Sequence, residues 1–351
     1  MANALLSRTP VKCAKSGPAG TSAPVFETKR ILNLLYYHKK IGIINRKMGR
    51  SYLSLEPILP WMEMDRPLRW AHLFGDCELP VVEIGFGLGD YLVSQARTCP
   101  GKHFVGIETG WLPVKRTLRK IAFAGISNVR ILRVDAALAF ERLFQERAVE
   151  SVCCLFPCPW PKQRHAKNRL FSQNFLRLLN SRLMEEGELV IVTDDPAYFA
   201  WLQEQVPDTG FRMDSRRVGP QFSTKYEKKW LSAGQEVFYE LRLKKHSHWA
   251  WPLKEDIGLI TYRVEHFDPS RFEPQRCYGN PAVAFKETLY DPVRKKAMIR
   301  CIVGEDGFMQ NFWVEIVREE ALWHIRPAKG CSLLPTYGVQ RALDIVYASI
   351  R

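Results

Sequence analysis

The segment Val81-Val82-Glu83-Ile84-Gly85-Phe86-Gly87-Leu88-Gly89-Asp90 constrains this chain more than any other. Val81 to Ile84 reads as a short buried strand, β-branched on both sides of one acid. Glycines at three alternate positions then break it, and Tyr91-Leu92-Val93-Ser94-Gln95-Ala96 follows with helical spacing. A strand, a glycine turn and a helix start in succession belong to an α/β sheet. Glycines let backbone N–H groups come close to a ligand, and a helix N-terminus favours negative charge. A dinucleotide fingerprint would read G-x-G-x-x-G. This turn is G-x-G-x-G, with an acid two residues ahead of the first glycine.

The rest of the chain extends that unit. From Pro80 to Lys244 strand and helix patterns alternate, which predicts a doubly wound, mostly parallel sheet with helices on both faces. Strands are expected at 81–84, 104–108, 129–134, 151–156, 188–193, 211–217 and 236–244, seven in all. Helices are expected at 90–98, 111–124, 136–145, 170–184 and 196–205. The last strand alternates cleanly, as an antiparallel strand with one buried face does.

His246 to Pro252 reads as a linker. Residues 253–351 read as a smaller C-terminal α+β domain, with short alternating strands and a final helix over Val339–Ile350. That part shows no catalytic constellation. Residues 1–24 hold Arg8, Lys12 and Lys15 without an acid and read as a disordered basic arm. Residues 25–79 mix Tyr36, Tyr37, Trp61, Trp70 and Phe74 with basic residues. Such a preface either touches RNA or packs on the core.

Composition bears on partners. The 351 residues carry a formal charge of +14, which points to a polyanion such as nucleic acid or to an anionic membrane surface. No apolar run reaches the roughly 18 residues of a membrane helix. Nine cysteines, none in a C-x-x-C pair, argue against a structural zinc and against a disulfide framework, so no metal is expected. Reduced thiols fit a cytoplasmic protein.

In a doubly wound sheet, ligands bind beyond the carboxyl ends of the strands. Glu108 follows the second strand and is suited to accept the hydroxyl hydrogens of a ribose. Asp135 follows the third, placed to meet an adenine amino group or to cap the next helix. Glu83, flanked by Val82 and Ile84, needs a cation or donors, because a buried carboxylate without them is costly. After the fourth strand comes Phe156-Pro157-Cys158-Pro159-Trp160-Pro161-Lys162-Gln163-Arg164-His165-Ala166-Lys167-Asn168-Arg169. The prolines stiffen the loop, Trp160 offers a π-face on which a base stacks, and Lys162, Arg164 and His165 belong to a basic run suited to phosphates.

The glycine turn resembles the first motif of S-adenosylmethionine-dependent methyltransferases, where it holds the methionine end of the methyl donor. The whole set resembles the bacterial tRNA (guanine-N7-)-methyltransferases. The carrying segments are Glu83 to Gly89, Phe156 to Arg169, Thr193-Asp194 and Thr224-Lys225-Tyr226-Glu227. The family's loop is similar to F-P-D-P-W-x-K-x-R-H-x-K-x-R and its late motif to T-K-F/Y-E. The resemblance covers about residues 65–245.

It implies a class I, Rossmann-like fold, S-adenosylmethionine as methyl donor, and transfer to N7 of a guanosine in the variable loop of tRNA. It implies that Glu83, Gly85, Gly87, Gly89, Glu108 and Asp135 bind the donor. It implies that Trp160, Lys162, Arg164, His165, Asp194, Thr224, Lys225, Tyr226 and Glu227 meet the guanosine, with Cys158 and Asp194 at the catalytic centre.

One position departs. Cys158 stands where the family carries an aspartate. Guanine N7 has a lone pair and no proton, so methyl transfer to it needs alignment rather than a base. Asp194 or Glu227 is placed to orient the base instead. Pro157-Cys158 is also similar to the proline-cysteine pair of cytosine-C5 methyltransferases, whose cysteine attacks the ring. A third reading is an RNA-binding protein without catalysis.

Overall fold

The computed structural model describes residues 52–350. The expected basic arm, 1–24, and Tyr36 and Tyr37 of the preface lie outside them. Seven strands form the first sheet: β1 (Val81–Ile84), β2 (Phe104–Ile107), β3 (Val129–Leu132), β4 (Val149–Leu155), β5 (Leu183–Thr193), β6 (Phe211–Val218) and β7 (Phe238–Lys245). Their order is β3-β2-β1-β4-β5-β7-β6, and β7 runs antiparallel to both neighbours. The strand order reverses between β1 and β4, which puts the glycine turn at the switch point where such sheets bind ligands.

Helix α1 (Trp70–Phe74) precedes the sheet, and α2 (Asp90–Thr98), α3 (Trp111–Ala124), α4 (Ala136–Arg142), α5 (Gln173–Arg182), α6 (Pro196–Glu204) and α7 (Lys225–Ser232) follow its strands. One face of the sheet buries Val82, Ile84, Val152, Leu189 and Leu241 against α4, α5 and α6. The other face buries Phe104, Val129 and Ile131 against α2 and α3. Trp61 and Trp70 are buried in the first of these cores, and Trp70 stacks on Phe144 at 4.8 Å. For these two tryptophans the preface therefore packs rather than presents.

Several bounds shift by one to three residues, and two elements differ by more. β5 begins at Leu183 rather than 188, because Glu185 to Gly187 continue as a bulged extension beside β4. Gly187 is needed there: a Cβ would stand 2.9 Å from the Met184 carbonyl oxygen. Helix α7 had no counterpart in the expected elements.

A second sheet, order β8-β12-β11-β10-β9, holds β8 (Tyr262–Val264), β9 (Ala282–Asp291), β10 (Lys296–Glu305), β11 (Phe308–Glu319) and β12 (Leu322–Pro327). It is antiparallel throughout, and α8 (Tyr337–Ala348) covers one face with Val339, Leu343 and Val346. The segment before it is stitched to the first sheet's helices. Asn180 accepts from the Trp249 amide (2.8 Å) and donates to the Ser247 carbonyl (3.0 Å). Arg182, fully buried, donates to the carbonyls of Phe140 and Trp251, both at 2.8 Å. No helix among the described residues is long and apolar enough to cross a membrane.

Candidate active site

All three turn glycines lie in the left-handed region, at φ +68° (Gly85), +52° (Gly87) and +69° (Gly89), which favours glycine. Their surroundings differ. Among the described residues a Cβ on Gly85 would meet nothing within 4 Å, and one on Gly87 only the Gly85 carbonyl oxygen at 4.0 Å. The outer side of the bend is therefore open. On Gly89 a Cβ would stand 2.4 Å from the Thr117 side chain, because the turn is pressed against α3. Gly85→Ala is expected to lose only the left-handed strain, about 1–2 kcal/mol. Gly89→Ala should lose a further 1–3 kcal/mol, roughly, from overpacking. Denaturant unfolding checks this, and equal losses would contradict the packing.

Glu108 closes the turn from the β2 side. Its Oε2 accepts from the Gly87 amide at 3.2 Å, and its Oε1 from the amides of Thr109 and Gly110, both at 2.9 Å. The carboxylate is thus locked to the bend and keeps lone pairs for a further donor. Asp135 is the N-cap of α4. Its Oδ1 accepts from the amides of Ala137 (2.9 Å) and Leu138 (3.2 Å). Of the two uses weighed from the sequence the structure shows capping, which occupies one oxygen of an exposed carboxylate.

Glu83 is buried on β1, and among the described residues its Oε2 has no hydrogen-bond partner. Burial pushes its carboxyl up to about 8, with the charge of Asp90 adding to the shift. It lines a cavity of about 270 Å³ together with Tyr91, Cys153, Phe222 and Arg242.

The loop after β4 lies on the other side of the turn. Phe156 (φ +57°) and Trp160 (φ +45°) both occupy the left-handed region, a strained conformation for aromatic residues. Phe156 is buried against Phe238, Val192 and Phe222. Phe222 in turn meets Tyr91, two residues past the glycine turn, edge-on at 5.9 Å. The β4 loop, the end of β5 and the Thr224 motif thus converge beside the turn. Cys158 is exposed between its two prolines. Lys162 and Arg164 are exposed, and His165 packs edge-on against Trp160 at 5.8 Å.

Asp194 follows β5, half-buried, its carboxyl pushed up by that burial. Thr224 caps α7 by accepting from the Glu227 amide at 3.1 Å. Glu227 is buried, and its carboxylate accepts from the amides of Gln221 (2.7 Å) and Phe222 (3.0 Å). Thr224 and Glu227 therefore first hold their own loop in shape, and Lys225 and Tyr226 project from it, exposed. The S/T-x-x-E spacing of a capping box was the sequence signal for α7.

Arg169 went unremarked in the sequence beyond its place in the loop. Its Nε donates to the Pro159 carbonyl at 3.0 Å, and its guanidinium lies 4.9 Å over Trp201. It ties the loop tip to α6. Among the described residues no cluster of three or more His, Cys, Asp or Glu could hold a metal ion.

The model of a family described as "Putative methyltransferase" matches residues 78–240. A tRNA (guanine-N(7)-)-methyltransferase of Chlorobium phaeobacteroides is 42% identical over 167 residues, 48% of this chain and 82% of that protein. The enzyme of the same name from Thermotoga maritima is 37% identical over 75% of this chain and 87% of its own length, and that from Aquifex aeolicus 31% over 76% and 92%. Three quarters of this chain exceeds the 252 residues up to Pro252, so these two matches reach into the second sheet's region. A solved structure described as an antibiotic related methyltransferase is 20% identical, with a TM-score of 0.39, over 51% of this chain and 92% of that one. The glycine turn locked to Glu108, the seven-stranded order and these relatives agree: the chain belongs to the tRNA (guanine-N(7)-)-methyltransferase family.

Proposed function

We propose that the open bend over Gly85 and Gly87 takes S-adenosylmethionine, and that the Phe156–Arg169 loop brings a variable-loop guanosine of tRNA against it. As a member of its family the chain is an S-adenosylmethionine-dependent enzyme that methylates N7 of guanosine in tRNA. The observation that carries the proposed geometry is the bend itself: among the described residues nothing stands within 4 Å of a Cβ built on Gly85, and Glu108 is fastened to the bend at 3.2 Å.

The residues fit the donor. Amides of the bend and the remaining lone pairs of Glu108 suit a ribose. The unpartnered Oε2 of Glu83 suits the donor's positive end. Asp135 offers its second oxygen to the adenine amino group. When bound, S-adenosylmethionine supplies an electrophilic methyl group on a positively charged sulfur.

The chain's own part is alignment. Guanine N7 attacks with its lone pair along the line of the breaking bond, and no proton leaves the ring nitrogen. Holding the two reactants in line is worth several kcal/mol of barrier. Trp160 provides the stacking face, Lys162, Arg164 and His165 the cations for flanking phosphates. Asp194, Thr224, Lys225 and Tyr226 surround the base, with Asp194 set to accept from its N–H edge. Glu227 acts by shaping the loop that carries Thr224 and Tyr226. Arg169 is a positioning residue for the strained loop.

Cys158 orients weakly on this reading. Cys158→Ala is expected to retain methylation within about threefold, and Cys158→Asp to match or exceed the parent. A cysteine nucleophile would instead lose transfer altogether in both variants. The direct test is incubation of tRNA with labelled methyl donor, digestion, and identification of the modified nucleoside. The expected product is 7-methylguanosine; 5-methylcytidine or no label would overturn the reading.

A further inference from the structure

We infer that the outward face of α3, together with the end of α2, is a second RNA-binding surface that grips the tRNA body away from the target guanosine. The inference rests on the reading above and extends it to a surface with no assigned role.

Helix α3 carries Lys115, Arg116, Arg119 and Lys120 and not one acid, and α2 adds Arg97 against Asp90. The single acid is already paired, since Asp90 accepts from Lys120 at 2.6 Å. Arg97, Arg116 and Arg119 are exposed, and among the described residues none of them has an ion-pair or hydrogen-bond partner.

The same face exposes apolar groups. Phe123 is 96% exposed and Leu112 58% exposed. Positions 112, 116, 119 and 123 fall on one side of the helix by spacing. The stripe therefore reads Leu-Arg-Arg-Phe where a solvated helix face would mix both signs of charge. Phe123, Arg97 and Arg119 border a groove of about 480 Å³ between α2 and α3. An aromatic face among unpaired guanidinium groups suits bases and phosphates together.

Position supports RNA as the occupant. Helix α3 starts three residues after Glu108, at the ligand end of the sheet, and its 14 residues run about 20 Å from it. A polyanion anchored at the site could follow it. The second sheet makes the contrast. There Arg300 is paired with Glu287, and Arg326 and Lys296 with Glu315. Residues 253–351 carry fourteen Lys and Arg against thirteen Asp and Glu, and so offer a polyanion little net attraction.

The test uses the full chain and an unmodified tRNA transcript. The triple variant Arg97→Gln, Arg116→Gln, Arg119→Gln keeps good helix formers on exposed positions, so folding is checked by an unchanged melting curve. It is expected to bind tRNA at least tenfold more weakly at about 0.1 M salt, with the slope of log K against log salt smaller by about 2–3. Phe123→Ser should weaken binding about threefold with little change in slope. Affinity for S-adenosylmethionine should not move in either variant.

Unchanged tRNA affinity and slope in the triple variant would overturn the inference. So would a variant whose only change is loss of self-association by light scattering, since the face would then be a contact between copies. The readout is RNA binding, so its failure is distinct from a failure of the parent to form 7-methylguanosine.

Discussion

Replacing Arg182 by methionine is expected to destabilise the protein by about 3 kcal/mol and to lower its melting temperature by about 4–5 °C. The guanidinium is fully buried and donates to four acceptors: Phe140 O (2.8 Å), Ser181 Oγ (2.7 Å), Trp251 O (2.8 Å) and Pro252 O (3.4 Å). Methionine restores most of the volume, so packing changes little. The Phe140 carbonyl, and the Trp251 carbonyl in part, lose a donor in a place water reaches poorly, and each such group costs about 1–3 kcal/mol.

The loss should be local first. Arg142 holds the same connection further along, donating to the carbonyls of Lys254 and Glu255, both at 3.1 Å. Limited proteolysis should therefore cut Arg182→Met between 246 and 253 well before the parent. A melting temperature within a degree or two of the parent, with no new cleavage, would show that the segment does not depend on Arg182.

Glu83→Gln is expected to be more stable than the parent at pH 8 by roughly 2–5 kcal/mol and nearly equal to it at pH 5. The carboxyl titrates near 4.5 when unfolded and near 8 in the folded chain, because burial disfavours its charged form. Between those values the native state holds a proton that the unfolded state has released. Stability therefore falls as pH rises from about 4.5 to 8 and levels off above that, and glutamine removes the fall. Denaturant unfolding at several pH values measures it. A constant difference between the two proteins would contradict it.

The proposed donor site gives the same residue a second expected result. If a cation of S-adenosylmethionine answers Glu83, binding near pH 7 should release close to one proton, and Glu83→Gln should release none and bind at least tenfold more weakly. Calorimetry in buffers of different ionisation heat counts those protons. Equal counts for the two proteins would remove Glu83 from the binding site.

The charge is unevenly distributed along the chain. Residues 1–51 hold ten Lys and Arg against one acid. Most of the basic surplus thus precedes the described residues, while the C-terminal region is close to neutral. The expectation of a polyanionic partner, drawn from the total, therefore concerns the N-terminal half of the chain.

What the sequence determined by itself was whatever depends on neighbours along the chain. The β-branched run at Val81–Ile84, the three glycines and the helical spacing after them act within about ten residues, and β1, α2 and α3 fall at their expected bounds. The carboxyl-end positions of Glu108, Asp135 and Asp194 followed from that alternation, since each stands just past a strand. Tertiary structure alone decided which atoms of these groups remain available. Capping takes one oxygen of Asp135, loop amides take the carboxylate of Glu227, and Glu83 is left with a bare oxygen in a cavity. Such outcomes turn on which donors the fold brings within 3 Å, and those donors come from elements far apart in the chain. The same holds for the unpaired arginines of α3, whose lack of acids is a property of a surface and cannot be read from the order of residues.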